Sequence, residues 1–561
     1  MGRNKKKVAQ MATKDSGFQR ARVNINNMNI PSKVLEELSK TYSNFQAYFP
    51  LLERFRGGAE GGTAPSSPIS YKSGLCATTP FPEGDDDNVY VKVIHLLNPS
   101  DWIQGNYSFP QDACMPGLQD GWGTVVDKLQ CEENQAYVDA LTVSLLSQLS
   151  EQNLSPHFIK YYGAICAKAE KYCYNMNDDY QSYRNTKWFW KQYESNHFKI
   201  RIFSHEHKRF LNEDEVAPFL LKPDEADLID DDDDDAEEIL EAIDDNNSNG
   251  DREVELESVG SFSTNSASVQ SILRISPSNQ TLQSGSEGSS EMDGYDIFAE
   301  FTGMPVMLIF MEKMEESIDS LLGEDPYDEF KWTAWMWQII CALIQAFSFI
   351  ELYHNDLHGN NILYSSTTEE FIYYRTKDNQ IWKVPTFGKI FRIIDFGRAI
   401  LRVENQSIIS DDFHEGNDAA GQYNFGSIRD PKEAAVTPNQ SFDLARLAVS
   451  IFDTLYEEPP PVKVVTSGPT TVLSKEGDWT VKETISPLYN LLWTWMLDIK
   501  GRNILKSENG EERFPGFDLY KHIAANCKNA VPKDQLRKPI FEKFKYTGVV
   551  PTGATVYPLF V

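Results

Sequence analysis

Two short segments constrain this chain more than anything else in it: HNDLHGNNILY, His354 to Tyr364, and FRIIDFGRAI, Phe391 to Ile400. In the first, Asp356 and Asn361 stand five residues apart; in the second, Asp395-Phe396-Gly397 follows a β-rich run. Either alone is weak, because a DFG triplet arises by chance and an Asp near an Asn usually marks a turn. Both in this order, each beside an apolar element (ILY and RII), are hard to ascribe to chance. The glycine after Phe396 lets the backbone turn where a bulkier residue resists.

The spelling resembles the catalytic loop H-R-D-L-x-x-x-N and the DFG motif of the eukaryotic-like protein kinase superfamily. The resemblance implies a bilobal α+β fold, with a strand-rich small lobe and a helical large lobe, that binds ATP and Mg²⁺ between them. Asp356 is then the catalytic base, and Asn361 and Asp395 are the metal ligands. Phosphoryl transfer asks the protein for positioning and charge neutralisation more than for covalent chemistry, and a carboxylate beside the acceptor hydroxyl orients it and takes its proton.

The same resemblance assigns further residues. Lys92 in VYVKVI takes the place of the lysine in V-A-I-K, contacting the α and β phosphates and pairing with an acid on the following helix. Asp139 in DALTVSLL is the best-placed acid, with Glu132 and Glu133 at least a turn earlier; the plain alternatives are an exposed strand lysine and a solvated helix face. For the phosphate cradle, RGGAEGG (Gly57, Gly58, Gly61, Gly62) lacks the G-x-G-x-x-G order, and KSGLCA with Gly74 lies nearer the expected distance from Lys92; a flexible loop explains either equally well. The backbone around Glu312 to Met314 is the expected hinge for adenine, with Met311 behind it, although a Met-rich strand is otherwise ordinary core. Asp443, in NQSFDLARLAVSIFDTLY, is expected to brace the catalytic loop from behind.

Departures from the family pattern carry expectations too. Asn355 stands where an arginine usually pairs with a phosphorylated loop, implying activity that does not depend on loop phosphorylation. Tyr90 replaces a small alanine on the strand face of Lys92, His358 replaces a lysine, and no A-P-E follows. These features, with GKIFRIIDFGRAI, are similar to haspin-like atypical kinases and to divergent kinases of giant DNA viruses and protists. The expected reaction is γ-phosphoryl transfer from ATP to Ser or Thr hydroxyls of a protein. HNDL and DLHGN also resemble choline and aminoglycoside kinases, which act on small hydroxyl compounds; a pseudokinase scaffold is a third reading.

At 561 residues, 41% of them apolar, the chain can build a sizeable core. The expected organisation is a polar tail over 1–45, the first part of the small lobe over 46–204, a disordered acidic and Ser-rich insertion over 205–292, the last small-lobe strand and hinge over 293–316, the large lobe over 317–545 and a tail over 546–561. NVYVKVIHLL and MPVMLIFMEKM read as strands, NQAYVDALTVSLLSQLSEQ as an amphipathic helix, and EEFIYYR and QIWKVP as one hairpin around TKDN.

Of the formal charge of −30, about 17 units fall between Asp224 and Glu257, where eighteen acids face one arginine. That field disfavours nucleic acid; it suits a basic protein substrate, and equally a solvated linker. Seven scattered cysteines without zinc spacing point to reduced thiols in an intracellular, cytoplasmic setting, with the basic start MGRNKKK leaving the nucleus open. The greasiest stretch, WTAWMWQIICALIQAFSFIELY, is broken by Gln338, Gln345 and Glu351 and reads as a buried helix rather than a membrane span, and Lys6 stands where a myristoylation signal has Ser or Thr, so no N-terminal acyl anchor is expected.

Overall fold

The computed structural model describes residues 25–26, 30–47, 50–52, 54, 74–75, 81, 88–107, 115–116, 123–223, 228–229, 265–268, 294–323, 327–403, 406–466 and 468–561. The fold is mixed α+β, with several small sheets and helices.

In chain order the elements that matter to the site begin with strand β1 (Tyr42–Gln46), strand β2 (Val89–His95), helix α1 (Gln135–Glu151) and strand β3 (Tyr161–Ala169). Strands β4 (Tyr172–Asn175), β5 (Lys199–Ser204), β6 (Arg209–Phe210), β7 (Asn265–Ser268), β8 (Tyr295–Phe301) and β9 (Met304–Glu312) follow. Helix α2 (Glu329–Ile350) leads to strands β10 (Ile362–Ser366), β11 (Phe371–Arg375), β12 (Ile381–Pro385) and β13 (Lys389–Ile393). Helices α3 (Phe442–Leu455) and α4 (Phe517–Asn526) and the short strands β14 (Lys545–Tyr546) and β15 (Val556–Pro558) complete them.

A five-stranded antiparallel sheet runs β1-β3-β9-β2-β7. Its central strand β9 is buried from Val306 to Phe310, which is why it reads as an unbroken apolar run rather than an alternating one. Lys92 of β2 lies opposite Ile309 of β9 and Ser266 of β7. A second antiparallel sheet, β4-β8-β5-β6, is built from the chain between β3 and β9.

Helix α1 starts at Asn134, whose side chain accepts from Ala136 N–H and so satisfies a donor that the first turn leaves open. It was expected to be amphipathic, yet Ala136 through Ser147 are all buried. Its polar residues are satisfied inside: Thr142 donates to Val138 O, and the Ser147 hydroxyl accepts from Tyr161 N–H. A helix covered on nearly every face belongs to the core.

Helix α2 is long and apolar enough to cross a membrane, and 89% of its most apolar window is buried inside the protein. Its polar interruptions are tied down: Gln338 donates to Lys389 O and accepts from Phe391 N–H, and Gln345 donates to Leu154 O and Pro558 O. These bonds anchor the helix against β13 and the chain leading to β3.

Three expected boundaries differ from the structure. The tail over 1–45 contains a helix, Ser32–Leu38, with Val34 and Leu38 buried, and runs into edge strand β1. The insertion expected from residue 205 is ordered through 223: Asn212 and Glu215 form a reciprocal capping box, and Leu211 and Val216 are buried. Within the rest of that tract, Asn265–Ser268 pairs with β2, while the acidic run Asp230 to Asp235 lies outside the described residues. The hairpin around TKDN is present as β11 and β12, but ribbons also form between β10 and β13, between Ile400–Val403 and Gln406–Ile409, and between Val472–Glu476 and Trp479–Lys482.

Candidate active site

Strands β10 and β13 pair with Ile362 opposite Ile393, and Ile394 N–H donates to Asn361 O at 3.0 Å. This ribbon sets Asn361 and Asp395 at the same end of two neighbouring strands. Asp395 then turns with φ 65°, a left-handed conformation that Asp tolerates better than most residues.

Lys92 reaches this turn from the five-stranded sheet. Its Nζ lies 2.7 Å from Asp139 Oδ2 and 2.9 Å from Asp395 Oδ1. The other oxygen of Asp139 accepts from Phe396 N–H at 2.9 Å. Lys92 and Asp139 are buried, whereas the Asp395 side chain keeps 34% of its surface exposed. Burial alone would lower the Lys92 ammonium, but the two carboxylates raise it above its ordinary range. Burial likewise works against the Asp395 carboxylate, and Lys92 more than offsets it, holding that carboxyl below its ordinary value.

The loop after α2 is fixed from beneath. Asp443 at the start of α3 accepts from His354 N–H at 3.1 Å and Asn355 N–H at 2.9 Å. His354 donates through Nε2 to Ile394 O at 2.8 Å and accepts at Nδ1 from Asp356 N–H at 3.3 Å. Asn355, where an arginine was the family expectation, has φ 67°, a conformation that asparagine adopts more readily than most residues. Its amide donates to Arg398 O and accepts from the Tyr423 hydroxyl.

Asn361 donates through Nδ2 to Asp356 O at 2.9 Å and lies 3.1 Å from His358 Nε2. Both contacts use the amide nitrogen, so neither occupies Oδ1. Burial depresses the His358 imidazole to about 4, so at neutral pH it is uncharged and can accept from that amide.

Asp356 has 15% of its side chain exposed. Its Oδ1 accepts from the Tyr520 hydroxyl at 2.8 Å, and Arg398 Nη1 stands 3.7 Å from Oδ2. Burial would raise this carboxyl; the charge of Arg398, helped by Arg446 and the Tyr520 hydroxyl, holds it down at about 2.

The segment after Gly397 is pinned by carboxylates of its own. Arg398 Nε lies 2.7 Å from Asp412, Lys128 Nζ lies 2.7 Å from Asp411, and Gln135 N–H donates to Asp411 at 2.9 Å. The Gln135 contact binds the segment to the N-terminus of α1, and the Lys128 contact binds it to the helix Thr124–Gln130 before α1.

The remaining expected residues stand apart from this cluster. Gly74 pairs with Asn26 in a two-residue ribbon alongside β3, and β9 separates β3 from the strand of Lys92. The glycines of RGGAEGG lie outside the described residues. Glu312 closes β9 opposite Val89; its N–H donates to Lys160 O, and its carboxylate accepts from Lys160 N–H. Met314, half-buried, has Arg392 Nη1 3.7 Å from its sulfur.

Residues missed from the sequence are Tyr520, Arg398, Asp411, Asp412 and the pair Asp319 and Gly359. Only Gly359, inside the loop motif, carried a local signal: a Cβ there would sit 1.5 Å from Asp319 Oδ1.

Among the described residues, no group of three or more His, Cys, Asp or Glu side chains could hold a metal by itself. The oxygen donors at this end of the β10–β13 ribbon are the Asp395 carboxylate and Asn361 Oδ1. Two hard oxygens suit Mg²⁺, which keeps waters and takes phosphate oxygens rather than an all-protein cage. Compared with models of known protein families and with curated proteins, the chain matches none.

Proposed function

We propose that this chain is an ATP-dependent protein kinase with a bilobal kinase fold, transferring the γ-phosphoryl group to Ser or Thr hydroxyls. In this reading the five-stranded sheet and α1 form the small lobe, and the chain from α2 onward forms the large lobe. The observation that carries it is the position of Lys92 Nζ, 2.7 Å from Asp139 and 2.9 Å from Asp395, with Asn361 and Asp356 on the adjoining loop.

In this reading each residue has one task. Lys92, kept charged by its two carboxylates, binds the α and β phosphates. Asp139 holds Lys92 and the Phe396 main chain in one geometry. Asn361 and Asp395 would hold Mg²⁺, which supplies neutralising charge on the phosphates when bound. Asp356, ionised throughout the neutral range, orients the acceptor hydroxyl. The γ-phosphorus bond to the ADP oxygen breaks as the acceptor oxygen bonds to phosphorus, and the acceptor proton passes to Asp356. At the hinge, Met314 N–H makes no hydrogen bond with other described residues and is free to donate to adenine.

The test is transfer of labelled phosphate from ATP to a panel of basic proteins and small alcohols, with Asp356→Asn and Asp395→Asn as controls. Labelling of protein Ser or Thr that both substitutions reduce by at least about a hundredfold, to a measurable residual rate, is the expected result. Labelling of small alcohols alone would move the acceptor to the choline-kinase type, and no labelling of either class would overturn the proposal.

A further inference from the structure

We propose that Tyr520 is a positioning residue for Asp356, its hydroxyl fixing the carboxylate so that Oδ2 is the oxygen presented to the acceptor. This rests on the phosphotransfer reading above and concerns a residue 164 positions away from the loop it serves.

Asp356 has two oxygens with unequal surroundings. Oδ1 is taken by the Tyr520 hydroxyl at 2.8 Å, a full hydrogen bond. Oδ2 faces Arg398 Nη1 at 3.7 Å, too far for one, so its capacity to accept is still open. An acceptor hydroxyl that needs an orienting oxygen therefore meets Oδ2.

Tyr520 cannot readily swing aside. It is 2% exposed on α4, its ring stacks on Phe517 at 5.2 Å, and Phe442 lies 6.0 Å away. The Arg446 guanidinium, itself 3% exposed, stands 5.0 Å from the ring centroid, and Arg398 stands 5.8 Å away on the same ring. Close packing on these sides makes the phenol a fixed donor rather than a gate. A phenylalanine would fill the same space. The hydroxyl is tolerated there because it is bonded, since an unbonded buried hydroxyl costs stability.

The discriminating experiment is a double-substitution cycle on the full chain, with Tyr520→Phe made alone and on the Asp356→Asn background. The expected result is a fall in kcat of about tenfold for Tyr520→Phe, with KM for ATP and the thermal midpoint unchanged. On the Asp356→Asn background the same change should have little further effect, because the group it positions is gone. Equal fractional losses on both backgrounds would mean that Tyr520 acts by packing alone, and no loss in either would mean that the hydrogen bond is idle; each overturns the inference while leaving the phosphotransfer reading intact. Absence of transfer by the unsubstituted chain overturns both.

Discussion

The main-chain N–H of Phe396 donates to Asp139 Oδ1 at 2.9 Å, so the carboxylate that pairs with Lys92 also holds the turn carrying Asp395. Replacing Asp139 by Ala removes one of two partners from a buried ammonium and the acceptor from a buried N–H. Losing a partner from a buried pair is costly because the other charge stays desolvated, although Asp395 remains beside Lys92. A loss of about 2–4 kcal/mol in urea unfolding is expected, with transfer reduced at least about tenfold. Stability within about 0.5 kcal/mol of the unsubstituted chain would contradict it.

Gly359 is required by its neighbour. The ideal Cβ of an alanine there would lie 1.5 Å from Asp319 Oδ1, a buried oxygen with no hydrogen-bond partner among the described residues. Burial pushes the Asp319 carboxyl up to about 6. Gly359→Ala should cost about 1–3 kcal/mol by overpacking. Asp319→Ala should cost little alone and recover most of the loss when combined, a coupling that chemical unfolding of the four chains measures. Additive losses would contradict it.

The segment beyond Gly397 should work without phosphate. Asp412 and Asp411 already place carboxylates on Arg398 and Lys128, both at 2.7 Å, where a phosphorylated loop would use phosphate. Phosphatase-treated chain, shown by mass spectrometry to carry no phosphate, should retain full transfer at the first time points. Asp412→Asn should lower it, because Arg398 then loses the charge at its shortest carboxylate contact, those to Asp356 and Asp418 being longer. Activity that begins only after phosphorylation of residues 400–436 would contradict this.

Mild acid should destabilise the protein. Burial holds His95 and His157 down at about 3 and His358 at about 4, so all three are neutral in the folded chain. The unfolded chain protonates them near about 6.5. Between that value and the folded values the unfolded state binds more protons, so stability falls as pH falls. Asp319 and Asp418, held up at about 6 and about 7 by burial, take up protons in the folded chain over the same range and offset two of the three histidines, so the slope should be about 1.4 kcal/mol per pH unit, the equivalent of one group. Urea unfolding at pH 7, 6 and 5 measures it; equal stability at the three values would contradict it.

Much of the scaffold was legible because its signals are local. An alternating stretch marked β2, an apolar run marked β9, a turn between strand-like stretches marked β11 and β12, and an apolar length marked α2. Asp356 and Asn361 could be named because their spacing is short, Asp395 because it lies in a recognisable triplet, and Asp139 because it follows Lys92 in a fixed order of elements. Tyr520 could not be found this way: it is an ordinary aromatic on a helix, and only tertiary packing brings it to Asp356. Asp411 and Asp412 sit in no motif, and only the fold brings Lys128 and Arg398 beside them. The ordered stretch ending at 223 was hidden by composition, since its capping box and two buried residues are slight beside so many charges. The buried polar face of α1 misled because Thr142 and Ser147 satisfy their hydroxyls within the protein.

The most direct measurement is calorimetric titration of ATP into the full chain with and without Mg²⁺, repeated with Asp395→Asn. If Asp395 and Asn361 serve a nucleotide-held cation beside Lys92, affinity rises on adding Mg²⁺ and that rise is lost in Asp395→Asn. No ATP binding in the presence of Mg²⁺, or the same Mg²⁺ dependence in both chains, would contradict it.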